Sequence, residues 1–265
     1  MSAVKGWNEL ELGLDNRLLK ALSKLGFPRP TEVQLKALPF ALQGKDLLIR
    51  ARTGSGKTIA FALPLLNKLL SEKEWHHDSN SSGIYSVIMA PTKELCKQIE
   101  KVMSDLIYYC RDIVNVCCLS DDNNEVVQSR LQRKPDIIIA TPTRVADHCR
   151  SGALDISAVK MLVIDEADLV LSFGYTSDLN YVTSLLPKIL QGILISATLS
   201  PRLEKLKKVI LHNPVVVKVE EAEGDNNLLQ FYLESTDKDK FLILYVFLKL
   251  GLLQVYLLYT YTISH

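Results

Sequence analysis

Seven short apolar runs punctuate the chain: "DLLIR" (46–50), "SVIMA" (86–90), "VNVCCLS" (114–120), "DIIIA" (136–140), "MLVID" (161–165), "GILIS" (192–196) and "PVVVKV" (214–219). They are continuous rather than alternating. An apolar strand without alternation is buried on both faces, which is the situation of strands in a parallel sheet covered by helices on each side. The intervening segments have helical period. "TKELCKQIEKVMSDLIYYC" (92–110) sets Leu95, Ile99, Val102 and Leu106 on one face. Strand–helix alternation of this kind predicts an α/β fold built on a doubly wound parallel sheet. A ligand of such a sheet sits at the carboxyl ends of its strands.

Polar clusters follow five of the runs: Thr53 to Thr58, Pro91-Thr92-Lys93, Thr141 to Arg144, Asp165 to Asp168, and Ser196-Ala197-Thr198. In a parallel sheet all five converge on one edge. Composition bounds what that edge serves. With a net charge of +1 over 265 residues, any nucleic-acid binding must come from a local patch, not from a global basic field. Five cysteines, an odd number without a C-x-x-C pair, argue against a disulfide framework or a zinc site and for a reducing, intracellular compartment with no disulfide partner. Cys117 and Cys118 read as buried strand residues. His76 and His77 lie in the polar stretch "EKEWHHDSNSSG" with no cysteines near, and read as surface loop. The N-terminal "MSAVKGWNELELG" lacks the apolar stretch of a secretory signal.

Chemistry enters with "ARTGSGKT" (51–58), between the first strand and a helix. Backbone N–H groups of Gly54 to Thr58 can curl around a β-phosphate, Lys57 can reach the β/γ oxygens, and the Thr58 hydroxyl can ligate Mg²⁺. A plain glycine turn before a helix would leave the Lys57-Thr58 pair unexplained. Ala51 stands where the simple phosphate-loop pattern has its first glycine. "VIDEAD" supplies the complementary half. An apolar strand ends in Asp165, placed to hold Mg²⁺ in part through water, and Glu166 can orient and deprotonate an attacking water. A carboxylate cluster alone is usually a solvated loop, but joined to a phosphate loop in one domain it implies a nucleotide triphosphatase.

"DEAD" at 165–168, in this setting, resembles the signature of the DEAD-box RNA helicases, and further motifs of that family's first domain occur in the family's order. "GFPRPTEVQ" (26–34) resembles the Q motif; the resemblance implies that Phe27 stacks on adenine and Gln34 reads its edge, selecting ATP. Ala51, Arg52, Thr53, Gly54, Ser55, Gly56, Lys57 and Thr58 complete the implied ATP site. "PTKEL" (91–95) resembles motif Ia, with Lys93 in place of the usual Arg, and "TPTR" (141–144) resembles motif Ib, with Thr143 in place of the usual Gly. The resemblance implies sequence-independent RNA backbone contacts from Pro91, Thr92, Lys93, Thr141 and Arg144. "SAT" (196–198) resembles motif III, implying that Asp168, Ser196, Ala197 and Thr198 couple the nucleotide to RNA. The family's upstream aromatic falls near Glu9, where Trp7 is the neighbouring aromatic, and the family's glycine pair is absent from "CCLSDDNNEVVQ". The match runs from about residue 9 to residue 220. "SFGY", "ILHNP" and "DKDKFLILYVFLKL" are similar to the nucleolar subgroup of large-ribosomal-subunit assembly, implying a nuclear, nucleolar setting and a pre-ribosomal particle as partner.

The domain expectation is a RecA-like ATP-binding domain over 1–222, a linker over 223–235 centred on the acidic "EEAEGDNN" (220–227), and the incomplete start of a second RecA-like domain over 236–265. "LLYTYT" (257–262) loosely resembles motif IV. In the family the second domain brings the arginine fingers, so the expectation for this chain alone is ATP binding with poor hydrolysis; a non-catalytic ATP- and RNA-binding module is the alternative. The run 241–263 is long enough to span a bilayer, but Lys249 near its middle costs roughly 2.5–3.5 kcal/mol on insertion scales, so no membrane partner is expected.

Overall fold

The computed structural model describes residues 6–52, 54–75, 83–120, 124–198, 201–219, 233–236 and 238–250. Thr53, His76, His77, the stretch 220–227 and residues 251–263 lie outside the described residues. The chain divides into two units, Met1–Glu220 and Glu221–His265.

In the first unit the elements run α1 (Asn16–Lys24), α2 (Glu32–Leu42), β1 (Leu47–Arg50), α3 (Lys57–Trp75), β2 (Ser86–Met89), α4 (Lys93–Leu106), β3 (Val116–Cys118), α5 (Asn124–Gln132), β4 (Ile137–Ala140), α6 (Pro142–Arg150), β5 (Met161–Ile164), α7 (Ala167–Ser172), α8 (Thr176–Leu185), β6 (Gln191–Ser196), α9 (Pro201–Ile210) and β7 (Val215–Lys218). A short 3₁₀ turn, Trp7–Leu10, precedes them. The seven strands form one sheet in the order β3-β4-β2-β5-β6-β1-β7, and every pairing is parallel. The doubly wound α/β fold expected from the sequence is the fold observed.

The sheet geometry accounts for the unbroken apolar runs. Successive strand side chains point to opposite faces, and here each face meets its own core. Leu47, Ile49, Ile88, Ile137, Ile139, Val163, Ile193 and Ile195 join the core shared with α1 to α4. Leu48, Val87, Met89, Ile138, Leu162, Ile164 and Leu194 join the one shared with α6 to α9. Cys117 and Cys118 are buried on opposite faces of β3. At roughly 1.5–3 kcal/mol for each fully buried aliphatic side chain, these two layers dominate what holds the strand ends in register.

Two local expectations need adjustment. The last run reads as a strand buried on both faces, yet β7 is an edge strand, with Val217 buried and Val216 exposed. Edge position is set by topology: β7 pairs with β1 alone and ends the strand order. In α4 the buried stripe is Cys96, Ile99, Met103 and Leu106, with Leu95 and Val102 only flanking it. The stripe is centred about one position later than the strongest apolar residues suggest, and Cys96 and Met103 fill the places nearest the sheet.

In the second unit the described helix is α10 (Lys240–Leu250), with no buried residue. Among the described residues no helix is long and apolar enough to cross a membrane.

Candidate functional site

Because all strands are parallel, the five polar clusters do emerge along one edge, and they separate into two halves. One half is built on the ends of β1, β5 and β6, the other on the ends of β2 and β4.

The first half is centred on the loop between β1 and α3. Gly54 and Gly56 have φ of +83° and +92°, conformations in which a Cβ is strained. Gly56 is also crowded: a Cβ there would lie 2.6 Å from Gln34 Nε2 and 2.8 Å from Thr31 Oγ1. Gln34 explains the crowding. Its Oε1 accepts from the Thr31 backbone N–H at 2.8 Å, closing the start of α2, while its Nε2 donates to Gly56 O at 3.0 Å. Lys57, only 7 % exposed, donates from Nζ to Ala51 O at 3.1 Å, so the ammonium folds back across its own loop. The Ser55 hydroxyl is buried and has no hydrogen-bond partner among the described residues. Thr58 is half-buried in the first turn of α3 and Arg52 is exposed. The first turn of α3, the positive end of its helix dipole, faces the same loop.

Asp165 terminates β5 beside this loop and is 3 % exposed. Burial pushes its carboxyl up to about 6, against the opposing pull of Lys57 and of the Glu166 N–H, which donates to Asp165 Oδ1 at 2.9 Å. Glu166 adopts the left-handed conformation, φ 46° and ψ 50°, at the start of α7, a bend that costs a non-glycine residue about 1 kcal/mol and is characteristic of functional turns. Two residues on, Asp168 Oδ2 accepts from Thr198 N at 3.2 Å and from Thr198 Oγ1 at 2.9 Å. Ser196 locks that turn: its hydroxyl donates to Thr198 O at 2.7 Å and accepts from Thr198 N at 3.3 Å. Ala197 is exposed between them.

Phe27 is 44 % exposed on the segment entering α2, and its carbonyl accepts from the Trp7 indole at 2.8 Å. Trp7 is itself buried. Trp7 is thus bonded to the backbone of the Phe27 segment, a contact that no local pattern in the sequence signals.

The second half is more exposed. Pro91 is buried, Thr92 half-buried and Lys93 exposed. Thr92 caps α4, its hydroxyl accepting from Leu95 N at 3.2 Å, a role that suits its residue type at a helix start. Thr141 is buried before α6, Pro142 occupies the first turn, and Arg144 Nε donates to Leu119 O at 3.1 Å. Sequence reasoning missed two residues that contact this half. The Tyr175 hydroxyl donates to Pro91 O at 3.2 Å, and Asp178 Oδ2 accepts from the Thr143 hydroxyl at 2.6 Å.

The first half can bind a polyphosphate, and its residues fit Mg²⁺ as well. A buried ammonium, an unpaired Ser55 hydroxyl, a glycine at which a Cβ would clash, and a helix start form an anion cradle; Thr58 and Asp165 add the hard oxygen donors that Mg²⁺ takes. The second half offers a shallow row of cationic and hydroxyl groups.

The family model of the DEAD/DEAH box helicases matches residues 31–206. Among curated proteins, a probable ATP-dependent RNA helicase, ddx56, of Dictyostelium discoideum is 44 % identical over 92 % of this chain and 36 % of its own length. An ATP-dependent RNA helicase, dbp9, of Schizosaccharomyces pombe is 41 % identical over 92 % of this chain and 41 % of its own. The chain therefore spans about two fifths of the length of such relatives. Among solved structures, a DEAD box protein from the hyperthermophile Methanococcus jannaschii superimposes with a TM-score of 0.71 at 28 % identity, covering 92 % of this chain and 63 % of that one.

Proposed function

Because the chain belongs to the DEAD/DEAH box helicase family, we propose that it carries the ATP-binding part of an ATP-dependent RNA helicase, with ATP on the β1–β5–β6 half of the edge and an RNA backbone on the β2–β4 half. The observation that carries the reading is the buried pair beside the loop: the Lys57 ammonium and the Asp165 carboxyl, both withdrawn from water in one cradle. Burying two such groups is costly even when they offset each other, and a ligand bearing phosphate and Mg²⁺ engages both.

In this reading Lys57 leaves Ala51 O and turns to the β- and γ-phosphate oxygens, while the N–H groups of Gly54 to Thr58 hold the β-phosphate. Ser55 gains in the phosphate the partner its hydroxyl lacks. Phe27 offers a face for adenine, and Gln34, whose amide oxygen and nitrogen can each make one further bond, reads its edge. Thr58 and Asp165 would hold Mg²⁺, which supplies charge neutralisation at the phosphate oxygens. Glu166, on its strained bend, accepts the proton of the water whose oxygen attacks the γ-phosphorus as ADP leaves. Lys93 and Arg144 meet phosphates, with Pro91, Thr92 and Thr141 against the sugar–phosphate chain, so binding is indifferent to base sequence.

Domain limits of 1–222, 223–235 and 236–265 belong to the same proposal, as does a role in the nucleolus on a pre-ribosomal particle. The latter is supported by the likeness to ddx56 and dbp9 helicases. The test is ATP turnover with and without single-stranded RNA, in the parent chain and in Glu166→Gln, after calorimetry with ATP. ATP binding with weak turnover that Glu166→Gln removes supports the reading. Binding of ATP and RNA without turnover leaves a non-catalytic binding module, and no ATP binding at all refutes the site.

A further inference from the structure

The two loops assigned to RNA leave different strands and belong to different helices, yet the same turn of a third helix holds both. Tyr175 immediately precedes α8, and its hydroxyl donates to Pro91 O. Asp178, in the first turn of α8, accepts the Thr143 hydroxyl through Oδ2 and Arg150 through Oδ1 at 2.9 Å. Arg150 is fixed in turn by Asp147 at 3.0 Å and lies over the Tyr181 ring at 4.7 Å. α8 is anchored below by Leu179 and Val182, both in the core. Only the remainder of α7 after Asp168 and a two-residue turn through Gly174, at φ +87°, separate Tyr175 from Asp168, which grips Thr198.

We infer that the first turn of α8 is a brace setting the spacing of the Pro91–Lys93 and Thr141–Arg144 loops, with Tyr175 and Asp178 as positioning residues and α7 as the link from Asp168. The assignment of an RNA strand to those loops rests on the function proposed above; the brace itself rests on the contacts. Thr143 then has a physical use. A glycine there would have no hydroxyl for Asp178, and the start of α6 would lose its bond to α8, leaving the one from Arg150 at the far end of α6. The hydroxyl of Tyr175 has the same standing, because a phenylalanine would fill its space without reaching Pro91 O. A link from Asp168 through a short helix to the brace makes loop spacing responsive to whatever occupies the nucleotide half.

Hydrogen exchange on the full 265-residue chain tests this without assuming RNA binding. Tyr175→Phe should speed amide exchange in residues 91–99 by about fivefold, the change one neutral hydrogen bond supports. Asp178→Ala should do so in 141–149, and Asp178→Asn, which keeps an acceptor for Thr143, should restore most of the protection there. Ser184→Ala, on the far end of α8, should change neither segment. Adding ATP should alter exchange at 91–99 in the parent chain and not in Tyr175→Phe. A second arm measures binding of a single-stranded oligoribonucleotide, which Tyr175→Phe and Asp178→Ala should each weaken about fivefold while leaving ATP affinity unchanged. Unchanged exchange in both segments overturns the brace. Faster exchange in the two variants, when the parent chain binds no oligoribonucleotide, keeps the brace and refutes the RNA assignment instead.

Discussion

The two halves of the sheet edge solve the problem of presenting charge in opposite ways. On the β1–β5–β6 half the charged and polar groups are buried: Lys57, Asp165, Gln34 and Ser196 all lie below the surface. They are held by bonds within their own turns or, for Gln34, across to the phosphate loop. On the β2–β4 half Lys93 is exposed and Arg144 half-buried, and the loops carrying them are tied down from outside by α8. A buried charge acts at short range in a low dielectric and is insensitive to salt; an exposed charge is screened within about 10 Å at 0.1 M salt. The first arrangement suits a small, densely charged ligand that enters the protein. The second suits a long polyanion that lies across it.

The largest break in this contrast should come from Lys57→Ala. Truncating one member of a buried charged contact costs about 4 kcal/mol, roughly a thousandfold in ATP affinity. Nucleotide-free binding of an oligoribonucleotide should stay as it is. Equal ATP affinity in the two chains, read by calorimetry, would erase the distinction between the halves.

Next in size is the effect of pH on Asp165. Its carboxyl is raised to about 6 in the folded chain against about 3.9 in an unfolded one, so between those values the folded chain holds the extra proton. Stability of the ligand-free chain should fall by up to about 3 kcal/mol as pH rises through that window. Metal-assisted ATP affinity should rise over the same range, because only the ionised carboxylate is a ligand. Asp165→Asn should flatten both curves, and denaturant titrations at pH 4 and pH 7 that agree for the parent would contradict the burial.

Gly56→Ala should cost about 2 kcal/mol through its positive φ and the displaced Gln34 side chain. The shift in Gln34 should also let GTP compete better with ATP, as Gln34→Ala should on its own. A variant that melts with the parent and keeps its base preference would show that the α2 start and the phosphate loop are not joined through Gln34.

The smallest effect lies on the exposed half. Alanine at both Lys93 and Arg144 should reduce the slope of log affinity against log salt by about 1.4 for single-stranded RNA, two phosphate contacts' worth. ATP affinity should be indifferent to the change. A slope that survives would move the polyanion surface away from these loops.

What could be read from the residues alone follows a single physical division. The strands, the phosphate loop and the "DEAD" turn are written in contiguous stretches, so periodicity and spacing reveal them. Contacts between distant segments leave no such trace. Tyr175 meets Pro91 across 84 positions and Thr143 meets Asp178 across 35, and nothing local at either end marks the partner. The same holds for Gln34, whose amide reaches Gly56 22 positions away. Edge status is equally hidden, since the three valines of β7 resemble an interior strand until the strand order is known. In α4 a cysteine and a methionine took the sheet-facing positions while more conspicuous apolar residues flanked them, because burial follows angle on the helix and not hydrophobic strength.

The indole bond from Trp7 to Phe27 O has a practical optical consequence. The chain contains two tryptophans: Trp7, 8 % exposed behind the Phe27 segment, and Trp75, 86 % exposed at the end of α3. Their emission should separate into a blue-shifted component that acrylamide scarcely quenches and a red-shifted one that it extinguishes. Replacing Trp75 by phenylalanine leaves a single tryptophan, whose donor atom is fastened to the backbone of the residue proposed to face adenine. Nucleotide arrival can then be followed by stopped-flow on the otherwise native polypeptide, with no dye attached.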